Sequence, residues 1–346
     1  MKAFGQIERI LAVPRIVLAG LALAGLVLVA TVVVPARDAL AQDPHTAALQ
    51  SIVKLSIRVP PDARSARTLG TEREGNGIVI DGNGLIVTIG YLIIESDSIL
   101  VTTAAGKSIP AELVGYDHDT GLGLIRTAVP PAVPPLKLGD STQTAERDQV
   151  LVAGHGGQEA AIGAFVVSRR DFAGSWEYLL ENAIFTSPPI AGFGGAALIG
   201  RDGRLLGVGS LFVGDAMQGQ RPLPGNMFVP IDRLKPIMGD LLTQGRPSGP
   251  IRPWLGLQPE DVKGRVFVQR VQSDTPAAKA GIGVGDIVLA VGDKPVTGVA
   301  DYYRKLWSLG EAGIPVKLKL LQGAELREIT VKSADRMSYL KINKTY

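Results

Sequence analysis

Pro188-Pro189-Ile190-Ala191-Gly192-Phe193-Gly194-Gly195-Ala196-Ala197-Leu198 runs directly into Ile199-Gly200-Arg201-Asp202-Gly203-Arg204-Leu205-Leu206-Gly207-Val208. The first part is a turn of small residues that feeds an apolar strand. The second is a charged tight turn, Arg201-Asp202-Gly203, followed by a return strand. The glycines Gly192 to Gly195 have two readings. They permit a tight turn, or their successive N–H groups form a concave nest for a carbonyl or carboxylate.

The same rhythm of short strands and Gly or Asp turns extends in both directions. Upstream, Gly75 to Ile80 and Leu85 to Thr88 flank the turn Asp81-Gly82-Asn83-Gly84, a hairpin pattern. Further strands are predicted over Ile99–Thr103, Lys107–Leu113, Gly121–Arg126, Gln149–Ala153, Gly163–Ser168, Tyr178–Thr186 and Asn226–Ile231. A helix is expected over Pro236–Leu242 and a charged loop over Pro60–Glu74. So many short strands at this spacing argue for a mainly β fold of paired antiparallel barrels.

The motifs carry a resemblance. The small-residue turn resembles the nucleophile loop of trypsin-like serine proteases, Gly-Asn-Ser-Gly-Gly-Pro-Leu, with Gly194 at the serine position. The hairpin Gly75 to Thr88, continuing through Ile89-Gly90-Tyr91, resembles the HtrA/Deg signature that ends in the catalytic histidine, and Tyr91 stands there. Gly115-Tyr116-Asp117-His118-Asp119-Thr120-Gly121-Leu122 resembles the next signature, with Gly121 at the triad aspartate. Asn226 to Ile231 is similar to that family's closing strand.

After a Gly, Pro and Ser-rich linker, Gln244–Pro253, the chain resembles a PDZ domain. Trp254-Leu255-Gly256-Leu257 sits where such domains carry their carboxylate loop. Thr275-Pro276-Ala277-Ala278-Lys279-Ala280-Gly281-Ile282 with Gly285-Asp286 matches their second motif, and a helix over Asp301–Leu309 is the one expected to flank the groove. The resemblance implies a trypsin-like double β-barrel followed by a PDZ domain. Its expected divisions are residues 42–243 for the barrels, 244–253 for the linker, 254–335 for the PDZ domain and 336–346 for a tail. Trp254, Leu255, Gly256, Leu257, Tyr303 and Leu306 are the peptide-binding candidates it implies. Trp254 serves the core equally well, and the helical spacing of Tyr302, Tyr303 and Leu306 divides core from groove residues.

The chemistry of the family needs a hydroxyl nucleophile, an imidazole base and a carboxylate that orients it. Glycine at 194 and 121 offers no side chain, and the phenol of Tyr91 is a poor base near neutrality. Loss of nucleophile or base alone costs about a million-fold in enzymes of this mechanism. The three histidines are His45, in a polar link around Gln42 to Ala47, and His118 and His155, on turns. They fit no Gly-x-Ser-x-Gly elbow and no zinc spacing. No catalytic residue, metal or cofactor is therefore expected. The expectation is a pseudoprotease scaffold or adaptor that binds peptides or proteins, C-terminal peptides among them. The alternatives are an active HtrA-like endopeptidase with a rearranged site and a purely structural envelope assembly protein, including a homo-oligomer.

Composition bounds these readings. The 346 residues, 46% hydrophobic and 20% charged, suffice for two or three domains with sizeable cores. The 42 Gly and 23 Pro against 5% aromatics suit a turn-rich β architecture. A net charge of +3 without a clustered basic run sets nucleic acid aside. The absence of cysteine excludes disulfides and thiol chemistry. Residues 1–41 read as a targeting segment: Lys2, Arg9 and Arg15 flank the uncharged run Ile16 to Val34, and Ala39-Leu40-Ala41 is a cleavage signal. The run is about the ~20 residues that span a bilayer, so a cleaved signal peptide and a retained anchor both remain. Each delivers the rest of the chain across a membrane, to the periplasm or the outer face of the inner membrane.

Overall fold

Six strands close the first barrel: β1 (Ile52–Arg58), β2 (Glu72–Val79), β3 (Leu85–Ile89), β4 (Ser98–Thr102), β5 (Ser108–Tyr116) and β6 (Leu122–Thr127), in the order β1-β2-β3-β6-β5-β4. The computed structural model describes residues 44–176 and 178–342, so the targeting segment and Asn343 to Tyr346 lie outside the described residues. Among the described residues no helix is long and apolar enough to cross a membrane. The Asp81 carboxylate accepts from the N–H groups of Asn83 and Leu85 at 2.9 and 2.7 Å, which shapes the predicted hairpin turn. Every residue of β3 is buried, because one face lines the barrel and the other meets the second barrel at β11.

The second barrel repeats the closure with β7 (Gln149–Ala153), β8 (Ala161–Gly174), β9 (Tyr178–Ser187), β10 (Ala197–Ile199), β11 (Leu205–Met217) and β12 (Leu223–Pro230), ordered β10-β11-β12-β9-β8-β7. β8 and β11 run well past their predicted ends. Their ladders carry register shifts at Val166/Ser168 and Arg170/Phe172 and at Gly209/Leu211 and Val213/Met217. Each shift breaks the alternation from which strand length is read. Phe185, Met227 and Val229 of this barrel join Ile52, Leu55 and Ile78 of the first in one continuous core. Each such fully buried side chain is worth about 1.5–3 kcal/mol of apolar burial.

Three helical expectations change. The polar link holding His45 is helical: α1 (Pro44–Gln50) packs on the second barrel, with His45 Nε2 3.1 Å from the Gly200 carbonyl and Ala48 and Leu49 buried. The pattern from Ala48 to Val59 reads as starting in helix and continuing as strand, and the helix begins earlier, at Pro44, where packing rather than local sequence holds its first turn. The loop Pro60–Glu74 contains α2 (Ala66–Leu69) and the start of β2. The helix expected from Pro236 begins later, as α4 (Met238–Gln244), which Gly245 ends in the left-handed conformation. Between β3 and β4 lies α3 (Gly90–Ile93).

A separate sheet follows, formed by β13 (Leu257–Val262), β14 (Arg265–Val271), β15 (Ile287–Val291), β17 (Pro315–Gln322) and β18 (Glu325–Lys332), ordered β13-β14-β15-β17-β18, with β16 (Lys294–Pro295) on β15. α5 (Pro276–Lys279) starts with Pro276 at its first turn and Thr275 as its cap, the hydroxyl accepting from Ala278 N–H at 3.3 Å. Asp286 takes the Gly283 N–H at 2.8 Å and the Gln322 amide at 2.6 Å, so this part of the sequence motif builds the fold. α6 (Val299–Trp307) covers the sheet. α7 (Arg336–Tyr339) leads the chain's end back towards the first barrel.

Candidate functional site

The small-residue turn joins the two barrels. Asn76 of β2 donates its backbone N–H to the Gly194 carbonyl at 2.8 Å, and its amide nitrogen donates to the carbonyls of Gly192 and Gly194 at 2.8 and 2.9 Å. Its side-chain oxygen accepts from the His155 N–H at 2.7 Å. Gly195 has φ +73°, and a Cβ there would lie 1.9 Å from the Asn76 carbonyl oxygen. The Gly195 N–H donates to the Gly209 carbonyl at 2.8 Å. That N–H is thus engaged within the barrel, and the carbonyls of Gly192 and Gly194 face Asn76.

The three positions matched to a triad come together around α3. A Cβ on Gly194 would lie 2.8 Å from the Tyr91 hydroxyl oxygen, and Gly121 accepts the Gly90 N–H at 2.7 Å. Tyr91 donates its hydroxyl to the Ser210 carbonyl at 2.9 Å. Gly121 has φ +77°, and a Cβ there would meet the Tyr178 ring at 3.5 Å. Tyr178 in turn donates to the Thr120 carbonyl at 2.7 Å. Burial pushes the phenols of Tyr91 and Tyr178 well up from their usual range, which leaves them neutral. Two hydrogen-bonded phenols, those of Tyr91 and Tyr178, therefore lie beside Gly194 and Gly121.

His118 stands beside this centre, held from both sides. Its Nδ1 lies 2.9 Å from the Tyr116 hydroxyl, and Arg336 donates to its Nε2. A ring nitrogen that accepts from a guanidinium has no lone pair left for a nucleophile's proton. His155 sits on the turn after β7, and its Nε2 is buried without a hydrogen-bond partner among the described residues.

Next to His118, Asp119 pairs with Arg252 of the linker at 3.1 Å. Burial pushes the Asp119 carboxyl up to about 6, against the opposing pull of Arg252. A folded-state value above the unfolded one means that the folded protein binds the proton more tightly. Stability contributed at this site therefore rises as pH falls from above 6 towards 4, and is lost as pH climbs back through 6. Asp119→Asn is expected to flatten this part of the profile. Melting temperatures of both proteins at pH 5 and pH 7.5 check it, and an unchanged pH difference in the variant refutes the assignment.

The six peptide-binding candidates lie in or against the core of the third domain. Trp254 is buried, exchanges backbone hydrogen bonds with Ala334 at 3.1 and 2.9 Å, and packs its ring 4.9 Å from Tyr339. Leu255 and Leu257 are core residues. Gly256 has φ +81°, with Thr275 so close that a Cβ would fall 2.3 Å from the Thr275 Cβ. Tyr303 and Leu306 of α6 have no exposed surface. Tyr303 donates its hydroxyl to the Gly174 carbonyl at 2.6 Å, while Ala173 and Leu179 of the β8–β9 hairpin pack into the same core. An ion pair between Arg304 and Asp171 fastens the same contact. α6 thus meets the second barrel as well as its own sheet.

Sequence reasoning missed Tyr116, Trp176 and Tyr178, which wall the centre, and the buried pair Arg73 and Glu95 beneath it. Arg73 donates to the carbonyls of Tyr91 and Ile94 at 2.8 and 3.0 Å and to the Ser65 hydroxyl at 2.8 Å. Burial pulls its guanidinium down to about 10, against the pull of Glu95. An arginine inside a strand with flanking glutamates was the only local sign.

Comparison with known proteins agrees with this architecture. Residues 75–208 match the trypsin-like peptidase domain family, and residues 253–333 match the PDZ domain family. The chain is 27% identical over 318 residues to a probable periplasmic serine endoprotease DegP-like of Rickettsia prowazekii, covering 86% of this chain and 60% of that protein. It is 28% identical over 237 residues to the serine endoprotease DegS of Escherichia coli K12, covering 64% of this chain and 65% of the relative. It thus spans less than two thirds of the length of these relatives. A serine endoprotease from Yersinia pestis superposes with a TM-score of 0.51 at 23% identity, over 85% of this chain and 97% of the other. The HtrA-type protease AlgW with a decapeptide gives 0.51 at 19% identity, over 87% and 99%. These two likenesses carry the fold. The chain pairs a trypsin-like peptidase domain with a PDZ domain.

Proposed function

We propose that this protein is an exported pseudoprotease that serves as a scaffold or adaptor, binding peptides or protein partners through its PDZ domain without cleaving them. One observation carries the reading: the Tyr91 hydroxyl stands 2.8 Å from where the first side-chain atom of residue 194 would begin, so a serine there collides with the group in the histidine position. Glycine at 121 removes the orienting carboxylate as well. Peptide capture is assigned to Trp254-Leu255-Gly256-Leu257, with a partner strand added along the outer side of β13, the end strand of the sheet among the described residues. The names of the relatives support a periplasmic setting. They equally favour a second reading, an active endopeptidase with a rearranged site.

Casein hydrolysis and labelling by a fluorophosphonate probe separate the two. The purified full chain is expected to give no hydrolysis above a matched blank and no labelled band. C-terminal peptides presented to the same material are expected to yield saturable binders. Labelling that one serine substitution abolishes sinks the pseudoprotease reading, and a peptide set without a binder sinks the adaptor.

A further inference from the structure

A cavity of about 770 Å³ opens where the first barrel, the second barrel, the PDZ sheet and α7 converge. Its volume falls within the range of about 300–1,000 Å³ typical of small-molecule sites. Tyr91, Ile94, Phe193, Leu211 and Trp176 contribute an apolar and aromatic lining. The Tyr91 hydroxyl is turned to the Ser210 carbonyl, which leaves its ring to the cavity. Tyr91, at the position matched to the family's histidine, is thus part of this apolar wall.

The charged groups around the cavity all have one sign. Arg64, Arg67, Arg270 and Arg336 line it, and no aspartate or glutamate does among the described residues. Arg64 is paired with Asp274 at 2.9 Å, and Arg336 with His118 and the Trp176 carbonyl. Arg67 and Arg270 are exposed, and neither has an ion pair among the described residues. Arg67 bonds only the neutral Ser273 hydroxyl, at 3.0 Å, which brings it to the chain just beyond Arg270. Two guanidiniums at the edge of an apolar cavity, Arg270 and an Arg67 that feels only the more distant Asp274 carboxylate, suit a ligand with one anionic end and a hydrocarbon body.

An extended peptide backbone would bring unpaired amides into an apolar enclosure, at a cost. A hydrocarbon chain has no such groups to satisfy. We infer that this cavity binds a long-chain carboxylate, with the head group at Arg67 and Arg270 and the acyl chain over Tyr91, Phe193 and Leu211. The site is distinct from the PDZ groove, and its occupancy does not depend on the peptide-binding reading.

Hexadecanoate below its micellar concentration is the probe, titrated into the full chain by calorimetry and by tryptophan fluorescence, since Trp176 lines the cavity. Saturable binding at one site per chain is expected. Losing the charged hydrogen bonds, by Arg67→Glu with Arg270→Glu or by replacing the probe with hexadecanol, is expected to weaken binding about tenfold or more. Both arginines are on the surface, so the double variant keeps the fold, which circular dichroism verifies. Leu211→Trp, which fills the cavity, is expected to abolish the fluorescence response. Equal binding of acid and alcohol that ignores the charge reversal indicates partition into apolar surface and overturns the proposal. So does an absence of binding, or displacement of hexadecanoate by an apolar C-terminal peptide that binds more tightly.

Discussion

Gly195→Ala is expected to destabilise the protein by about 3 kcal/mol or more, among the largest effects that a single methyl group can have. The backbone at 195 is left-handed, at φ +73°, and the new Cβ would sit 1.9 Å from the Asn76 carbonyl oxygen and 2.7 Å from the Thr88 hydroxyl. Neither neighbour can yield. Asn76 is bound to the turn by three hydrogen bonds, and Thr88 donates to that same Asn76 carbonyl at 2.6 Å. The strain therefore falls on the seam between the two barrels. Gly192→Ala is the control: it has open space and no positive φ, and should shift stability by no more than about 0.5 kcal/mol. Urea denaturation of the two variants compares them. Equal midpoints would show that the seam is not rigid.

A second large effect is expected at Glu95, which is 2% exposed and accepts four hydrogen bonds. Its donors are the N–H groups of Arg64 at 3.1 Å, Ser65 at 2.7 Å and Lys341 at 2.7 Å, and the Ser65 hydroxyl at 2.6 Å. Burial pushes its carboxyl up, but the hydrogen bonds from Ser65, Lys341 and Arg64 outweigh burial and hold it below its usual range. Its stabilisation is thus present above the unfolded carboxylate value and lost as pH falls through the lower folded one. Glu95→Leu removes the acceptor, orphans these donors and leaves the buried Arg73 without its neighbouring charge. A loss of about 3–5 kcal/mol is expected, with Glu95→Gln in between. Denaturation midpoints measured at pH 7 read both, and a Leu variant as stable as the parent refutes the account.

The architecture was legible because its turns carry distinctive residues. Asp81 to Gly84, Arg201-Asp202-Gly203 and the Thr275 to Asp286 run each have a local reason for their shape, and each lies where the sequence places it. Strand ends were less legible, since the register shifts in β8 and β11 hide the period that defines a strand. The centre at 91, 121 and 194 could be located because it sits on three motifs. The cavity beside it could not, because Arg67, Trp176, Arg270 and Leu340 come from four separate segments with no common pattern. Tyr303 illustrates the same limit: helical spacing marks it as inward or groove-facing, but its bond to Gly174 depends on a hairpin more than a hundred residues away.

The return of the chain's end to Glu95 bears on the order of assembly. The bond from Lys341 N–H to Glu95 closes a span of 246 residues, which contains three of the first barrel's six strands, the whole of the second barrel and the entire PDZ domain. Ordering a loop of that length before its contents have folded would cost several kcal/mol, about (3/2)RT ln n for n residues. Once those domains are compact, the same closure joins two nearby points and costs far less. The final segment therefore docks last, and a partly folded chain leaves Glu95 short of one donor until every domain is in place.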